Sequence, residues 1–246
     1  MAWLFFSDLH MQDGELRDDF QPLYSNFMKL VSKVDAVPVA LGDIIDGLRL
    51  GREDLEHKID ESIRYYSEFW SWFAENKGIY ILGNHDAVFS DLRYRYLLPE
   101  SIDVCNRAFI DGFYCCHGHE FDILCSDLDF LSRIGVSFLN LISKISPVWE
   151  DKLAGLEMKL RKIGRFSRQD MVDVKALKFV DNFLNCKGIL WGHTHRFSFR
   201  FLNSYGKYII NTGTFLDKQN RLVLLDEDGF KFVETKGIFD SIPKLF

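Results

Sequence analysis

Short apolar runs separated by polar stretches set the rhythm of this chain. Trp3 to Phe6, Val37 to Leu41 and Ile79 to Leu82 are continuous apolar stretches of strand length. Between the first two, Phe20, Leu23, Phe27, Leu30, Val31 and Val34 recur at three-to-four spacing and predict a helix over 19–33. Leu55, Ile59, Ile63, Tyr66, Phe69, Trp70 and Phe73 predict one long helix over 53–76. This β-α-β-α-β order implies a parallel sheet with right-handed, covered crossovers.

After Pro99 the pattern changes. Residues 102–116 alternate around an Asp111-Gly112 turn and predict strands, and 121–186 is helical in character. Residues 188–235 are again strand-rich, with turns at Ser204-Tyr205-Gly206 and Asp226-Glu227-Asp228-Gly229. The expectation is an α/β (α+β) fold in one domain, 1–246, of two packed sheets flanked by helices, with a helical insertion at about 121–186.

Composition narrows this picture. With 246 residues, 47% hydrophobic and 27% charged, the chain can bury a sizeable core. Its net charge of −6 argues against bulk nucleic-acid binding. The 23 phenylalanines fit either plain core packing or a ring-stacking pocket. Five cysteines without a CxxC pair argue against a disulfide framework and for a reducing cytosol. The opening Met1 to Phe6 lacks a basic region and reaches Asp8 too early for a signal peptide. A cytoplasmic location follows as the expectation.

The chemistry sits where the apolar runs end. Asp8-Leu9-His10, Gly42-Asp43-Ile44-Ile45-Asp46, Gly83-Asn84-His85-Asp86, His117-Gly118-His119 and Gly192-His193-Thr194-His195 each follow such a run. In parallel sheets, ligands bind outside the carboxyl ends of the strands. Carboxylate, imidazole and amide ligands without thiolates suit Mn²⁺, Fe, Zn²⁺ or Co²⁺. At least seven candidates are too many for one ion, and a pair of metals clamps the attacking and leaving oxygens of a phosphoryl group. The residues thus point to hydrolysis at phosphorus.

This ordered set of D-x-H, G-D-x-x-D, G-N-H-D, a lone histidine after a strand, and G-H-T-H resembles the calcineurin-like metallophosphoesterase superfamily over residues 5–214. The resemblance implies a four-layer β-sandwich flanked by helices and two divalent cations, with Mn²⁺ the first choice. It implies that Asp8, His10 and His195 hold one metal, that Asn84, His117 and His193 hold the other, and that Asp43 bridges. His85 would act on the scissile phosphate, Asp86 would orient it through its other ring nitrogen, and the nucleophile would be a metal-bound hydroxide. Asp46 is expected behind Asp43 or on the cleft wall, with a role supporting the ligands preferred, and His119 as a rim or hydrogen-bonded residue; both are also candidates for substrate contact.

Within the superfamily, chain length, motif spacing and the helical insertion are similar to the UDP-2,3-diacylglucosamine pyrophosphatases. The segment His117 to Asp127 resembles that family's histidine block, with His85 where the family usually has arginine and His119 where it has aspartate. Residues 144–178 carry nine basic and five acidic side chains, a local +4. The insertion is therefore expected to act as a lid that meets a phosphate-containing small molecule, a lipid-linked nucleotide or, peripherally, the inner membrane. The equal alternative is a solvated charged face over a packed helical core. Competing functions are a phosphoprotein phosphatase or nuclease of the same superfamily, or a non-catalytic metal-binding scaffold.

Overall fold

The structure, a computed structural model, describes residues 1–14, 18–51, 53–121, 186–203, 205–216, 220–234 and 237–240, together with 172, 175, 176, 178 and 179. The chain forms two compact units, residues 1–117 with 185–246 and residues 118–184.

Among its described residues the first unit holds twelve strands in two mixed sheets. Sheet one contains β1 (Trp3–Phe6), β2 (Val37–Leu41), β3 (Ile79–Ile81), β4 (Asp103–Cys105), β10 (Leu222–Asp226), β11 (Gly229–Glu234) and β12 (Gly237–Asp240), in the order β12-β11-β10-β1-β2-β3-β4. The β1-β2-β3-β4 half is parallel, as the alternation of strands and helices requires. Strand β10 joins β1 antiparallel, with Leu4 opposite Leu224. Sheet two runs β5-β6-β7-β9-β8, from β5 (Arg107–Ile110), β6 (Phe113–Cys116), β7 (Gly188–Trp191), β8 (Phe197–Leu202) and β9 (Lys207–Thr212). A single residue, Asn106, carries the chain from β4 in one sheet to β5 in the other.

Strand period assigns the two cores. Phe5, Val39, Leu41, Ile81, Val223 and Leu225 face sheet two, meeting Ile110, Phe113, Cys115, Leu190 and Ile210. Their neighbours Leu4, Phe6, Ala40, Tyr80, Leu222 and Leu224 face the helices. These are α1 (Tyr24–Val31), α2 (Gly47–Leu50), α3 (Leu55–Tyr65), α4 (Ser67–Glu75) and α5 (Leu92–Arg95). Phe6 lies 5.4 Å from Phe27, 6.1 Å from Phe69 and 6.1 Å from Phe73 by ring centroid, mostly edge to face. For these rings the question left open by composition resolves to core packing.

The single helix expected over 53–76 is two helices broken at Tyr66 (φ −96°, ψ 31°). Tyr66 is fully buried and its hydroxyl donates to Asp18 Oδ2 at 2.6 Å, a tertiary bond that apolar spacing does not encode. The strand β12 and the short helices α2 and α5 were also not anticipated.

The second unit is described only in part. It contains a 3₁₀ turn, His119–Phe121, and the Phe121 ring lies 5.4 Å from Phe179. The helical character expected over 121–186, its basic side chains and the Cys125 block lie otherwise outside the described residues. Among the described residues no helix is long and apolar enough to cross a membrane.

Candidate metal centre

The turns after β1, β2, β3, β6 and β7 carry Asp8 and His10, Asp43 and Asp46, Asn84 to Asp86, His117, and His193 and His195, respectively. Pairing between β1 and β2 continues beyond the strands. Asp8 N donates to Gly42 O at 3.0 Å, His10 N to Asp43 O at 3.0 Å, and Met11 N to Ile44 O at 2.8 Å. This brings the first two clusters side by side. Close approach also needs missing side chains: a Cβ on Gly83 would strike the Asp43 carboxylate, and one on Gly42 (φ 88°) the His117 ring. Asp8, His10, Asp43, His193 and His195 all have left-handed backbones, with φ of 54°, 51°, 55°, 68° and 55°. Such a conformation costs about 1–3 kcal/mol per residue and persists only where neighbours fix it.

Two carboxylate–histidine groups result, Asp8–His10–His195 and Asp43–His117–His193, each with ligand atoms within 4.8 Å of one another. In the first, His195 Nε2 lies 3.2 Å from Asp8 Oδ1 and 3.1 Å from His10 Nε2. In the second, His117 Nε2 lies 3.1 Å from Asp43 Oδ2. His117 Nδ1 lies 2.7 Å from Leu41 O, and only a protonated nitrogen can donate to a carbonyl. That fixes the tautomer, with Nε2 turned to Asp43. A third group, His10–Asp46–His85, is held closer than ligands need: His85 Nδ1 is 2.8 Å from Asp46 Oδ1, a hydrogen-bond distance.

Two buried acceptors in this cluster, Asp8 Oδ1 and Asn84 Oδ1, have no hydrogen-bond partner among the described residues. A buried oxygen left so is costly unless a cation satisfies it. The donor set, nitrogen and oxygen without sulfur, suits a divalent metal. The residues present therefore fit the cation that their chemistry implies.

The electrostatics differ between the groups. Burial pushes the Asp8 and Asp43 carboxyls up, but the imidazoles beside them, His195 and His117 respectively, hold both below the usual range. Burial pulls His117 down, yet the Asp43 carboxylate outweighs it and the ring is pushed up to about 10. His195 stays below its usual value, since burial exceeds the pull of Asp8. Burial also lowers His85, and the Asp46 hydrogen bond reverses that to a net rise.

Two sequence expectations are corrected. The bond to His85 expected from Asp86 is made by Asp46. Asp86 is fully buried, its Oδ2 accepting from Ile44 N at 2.9 Å and Tyr80 Oη at 2.6 Å, its Oδ1 from Gly83 N at 2.5 Å. It ties strand ends together, and burial with the nearby Asp43 charge pushes it up to about 6. Asp46 is 1% exposed, with oxygens on His85, on Arg49 N at 3.1 Å and 3.4 Å from His10 Nδ1, so of its two expected roles it has the one supporting the ligands and not the one of substrate contact. His119 lies in the second unit, its Nδ1 3.6 Å from Glu120 Oε2.

Sequence reasoning missed Ser7 and the run Asn211-Thr212-Gly213-Thr214 at the end of β9. The signal was there: a polar cluster closing an apolar strand, as at the other five turns.

The sequence signature of the calcineurin-like phosphoesterases matches residues 1–197. This chain belongs to the calcineurin-like phosphoesterase family. It is a hydrolase acting on phosphoric esters, and the residue groups described above are consistent with the family's dependence on divalent metal. No curated protein matches the chain in sequence. Similar solved structures include an archaeal phosphodiesterase, 13% identical with a TM-score of 0.46, covering 95% of this chain and 99% of that one. A dimetal phosphatase from Danio rerio is 10% identical with a TM-score of 0.48, over 97% and 96%. Vps29 from Entamoeba histolytica, complexed with Zn²⁺, is 14% identical with a TM-score of 0.43, over 95% and 91%.

Proposed function

We propose that this calcineurin-like phosphoesterase is a dinuclear enzyme that cleaves a phosphodiester or diphosphate bond. The observation that carries the reading is the pairing of two buried carboxylate–histidine groups with the unsatisfied oxygens of Asp8 and Asn84. Asp8, His10 and His195 would hold one cation and Asn84, His117 and His193 the other, with Asp43 shared. Mn²⁺ is our first choice, on the hardness of the ligands. When bound, such a pair lowers the pKa of a coordinated water and neutralises charge on the phosphoryl oxygens.

The chain's own residues supply the rest. His85 is the general acid. Its Nδ1–H is held by Asp46 Oδ1 at 2.8 Å, its Nε2 lies 4.0 Å from Asp43 Oδ2, and a quarter of its side chain is open to solvent. The ring's raised pKa keeps a proton on Nε2 nearer neutrality, ready for the leaving oxygen. The Asp43 Oδ1 atom, accepting from His85 N at 2.8 Å, fixes the backbone that carries this ring.

For the substrate we favour a phosphate-bearing small molecule of the UDP-2,3-diacylglucosamine type, met in the cytoplasm or at the inner membrane. Support comes from the His117 to Asp127 block and from the local +4 of residues 144–178, a charge that would suit a phosphate-bearing substrate. The test is hydrolysis of a panel of UDP-sugar lipids, dinucleotides, cyclic nucleotides and phosphopeptides with Mn²⁺. A preference for phosphopeptides would replace this reading with a protein phosphatase, and no turnover with two bound metals would leave a scaffold.

A further inference from the structure

Four buried polar side chains lie against the two turns that carry the first group, yet the chemistry above gives them no task. They are Ser7 after β1, and Asn211, Thr212 and Thr214 at the end of β9. Asn211 Nδ2 donates to Gly192 O at 2.7 Å and to Thr194 Oγ1 at 3.0 Å, so it grips the turn bearing His193 and His195. Thr214 Oγ1 donates to Asp8 O at 2.6 Å. Ser7 Oγ contacts Asp8 Oδ2 at short range, lies 2.8 Å from Thr212 Oγ1 and 2.7 Å from Gly213 O.

Counting protons orders this network. Ser7 has one hydroxyl hydrogen and two acceptors, the Asp8 carboxylate and the Gly213 carbonyl. Pointing it at Gly213 would set its lone pairs against the carboxylate, so it goes to Asp8. Thr212 can donate to Trp191 O at 3.2 Å or to Ser7 Oγ at 2.8 Å. The shorter choice makes a chain, Thr212 to Ser7 to Asp8, in which each bond polarises the next. His193 N also donates to Asp8 Oδ2, at 3.0 Å. Oδ2 is thereby saturated, and Oδ1, which has no hydrogen-bond partner among the described residues, is the oxygen turned toward His10 and His195.

We propose that Ser7 and Thr212 are positioning residues that make Asp8 a one-oxygen ligand and so set cation affinity in the first group only. This rests on the dinuclear reading. In the second group His117 and Asp43 are fixed by other atoms, Leu41 O and His85 N, and only His193 shares a turn with the first.

The test is titration of chelated protein with Co²⁺, read by its visible absorption and by calorimetry. Wild type is expected to bind two equivalents. Ser7→Ala should weaken one equivalent by about 10–100-fold and alter its absorption, leaving the other unchanged. Thr212→Val should act in the same direction but less, and Thr212→Ser should stay within about twofold of wild type. A packing role predicts the reverse order for Thr212, because valine keeps the shape and serine loses a methyl group. If Ser7→Ala fails to fold by circular dichroism, the Thr212 pair decides alone. Two wild-type-like equivalents in Ser7→Ala, or Thr212→Ser weaker than Thr212→Val, would overturn the inference. Fewer than two equivalents in wild type would instead remove the dinuclear reading on which it stands.

Discussion

The Asp8–His10–His195 group is braced by side-chain hydroxyls and an amide, whereas Asp43 and His117 of the other group are held by main-chain atoms. A hydroxyl can be removed by substitution at little cost to the backbone, whereas Leu41 O and His85 N belong to the sheet ends themselves. The first group is thus tunable and the second fixed. Protonation separates them too. In the metal-free protein at neutral pH, His117 carries an extra proton because Asp43 attracts it, while His195 is neutral. His195 can take a cation directly, whereas His117 must first expel a proton.

The largest test of this comparison removes what serves both groups. His85→Ala should lower kcat by about 10²–10⁴-fold while both metal equivalents remain, measured by steady-state kinetics and metal analysis. Next in size, Asp46→Asn should lower kcat by about 10–100-fold and shift the acidic limb of the pH–rate profile, because the ring keeps an acceptor but loses its negatively charged partner. Asp86→Asn should do the opposite, leaving kcat within about threefold while lowering thermal stability by about 1–3 kcal/mol. If Asp86→Asn proved the slower enzyme, the corrected pairing would be wrong.

Proton uptake sharpens the contrast. Calorimetry at pH 8 in buffers of different ionisation enthalpy should show about one more proton released with the second group's cation than with the first's, the proton held by His117. Equal release with both would erase the difference. Stability of the chelated protein should follow the same ring. Its folded pKa of about 10 lies above the usual 6.5. Its contribution is therefore complete below 6.5, and is lost as pH rises toward 10. Each kcal/mol so lost lowers Tm by about 2–4 °C, and His117→Gln should flatten this pH dependence.

Much of this was legible beforehand. Each ligand-bearing turn follows an apolar run, and run plus polar cluster is a local pattern. Two packed sheets and the parallel half of sheet one were legible for the same reason. The pairing of His85 with Asp46 was not, because it depends on how the β2 and β3 turns cross, and adjacency made Asp86 look the natural partner. The break at Tyr66 was hidden because no Gly or Pro marks it. The Asn211–Thr214 brace was passed over since hydroxyls do not advertise metal chemistry.

The hop at Asn106 has a consequence for assembly. Asp8, Asp43 and Asn84 leave sheet one, while His117, His193 and His195 leave sheet two. A one-residue seam keeps both halves at a high effective concentration toward each other. Severing the chain there would turn site formation into an encounter between fragments, dependent on how much of each is present.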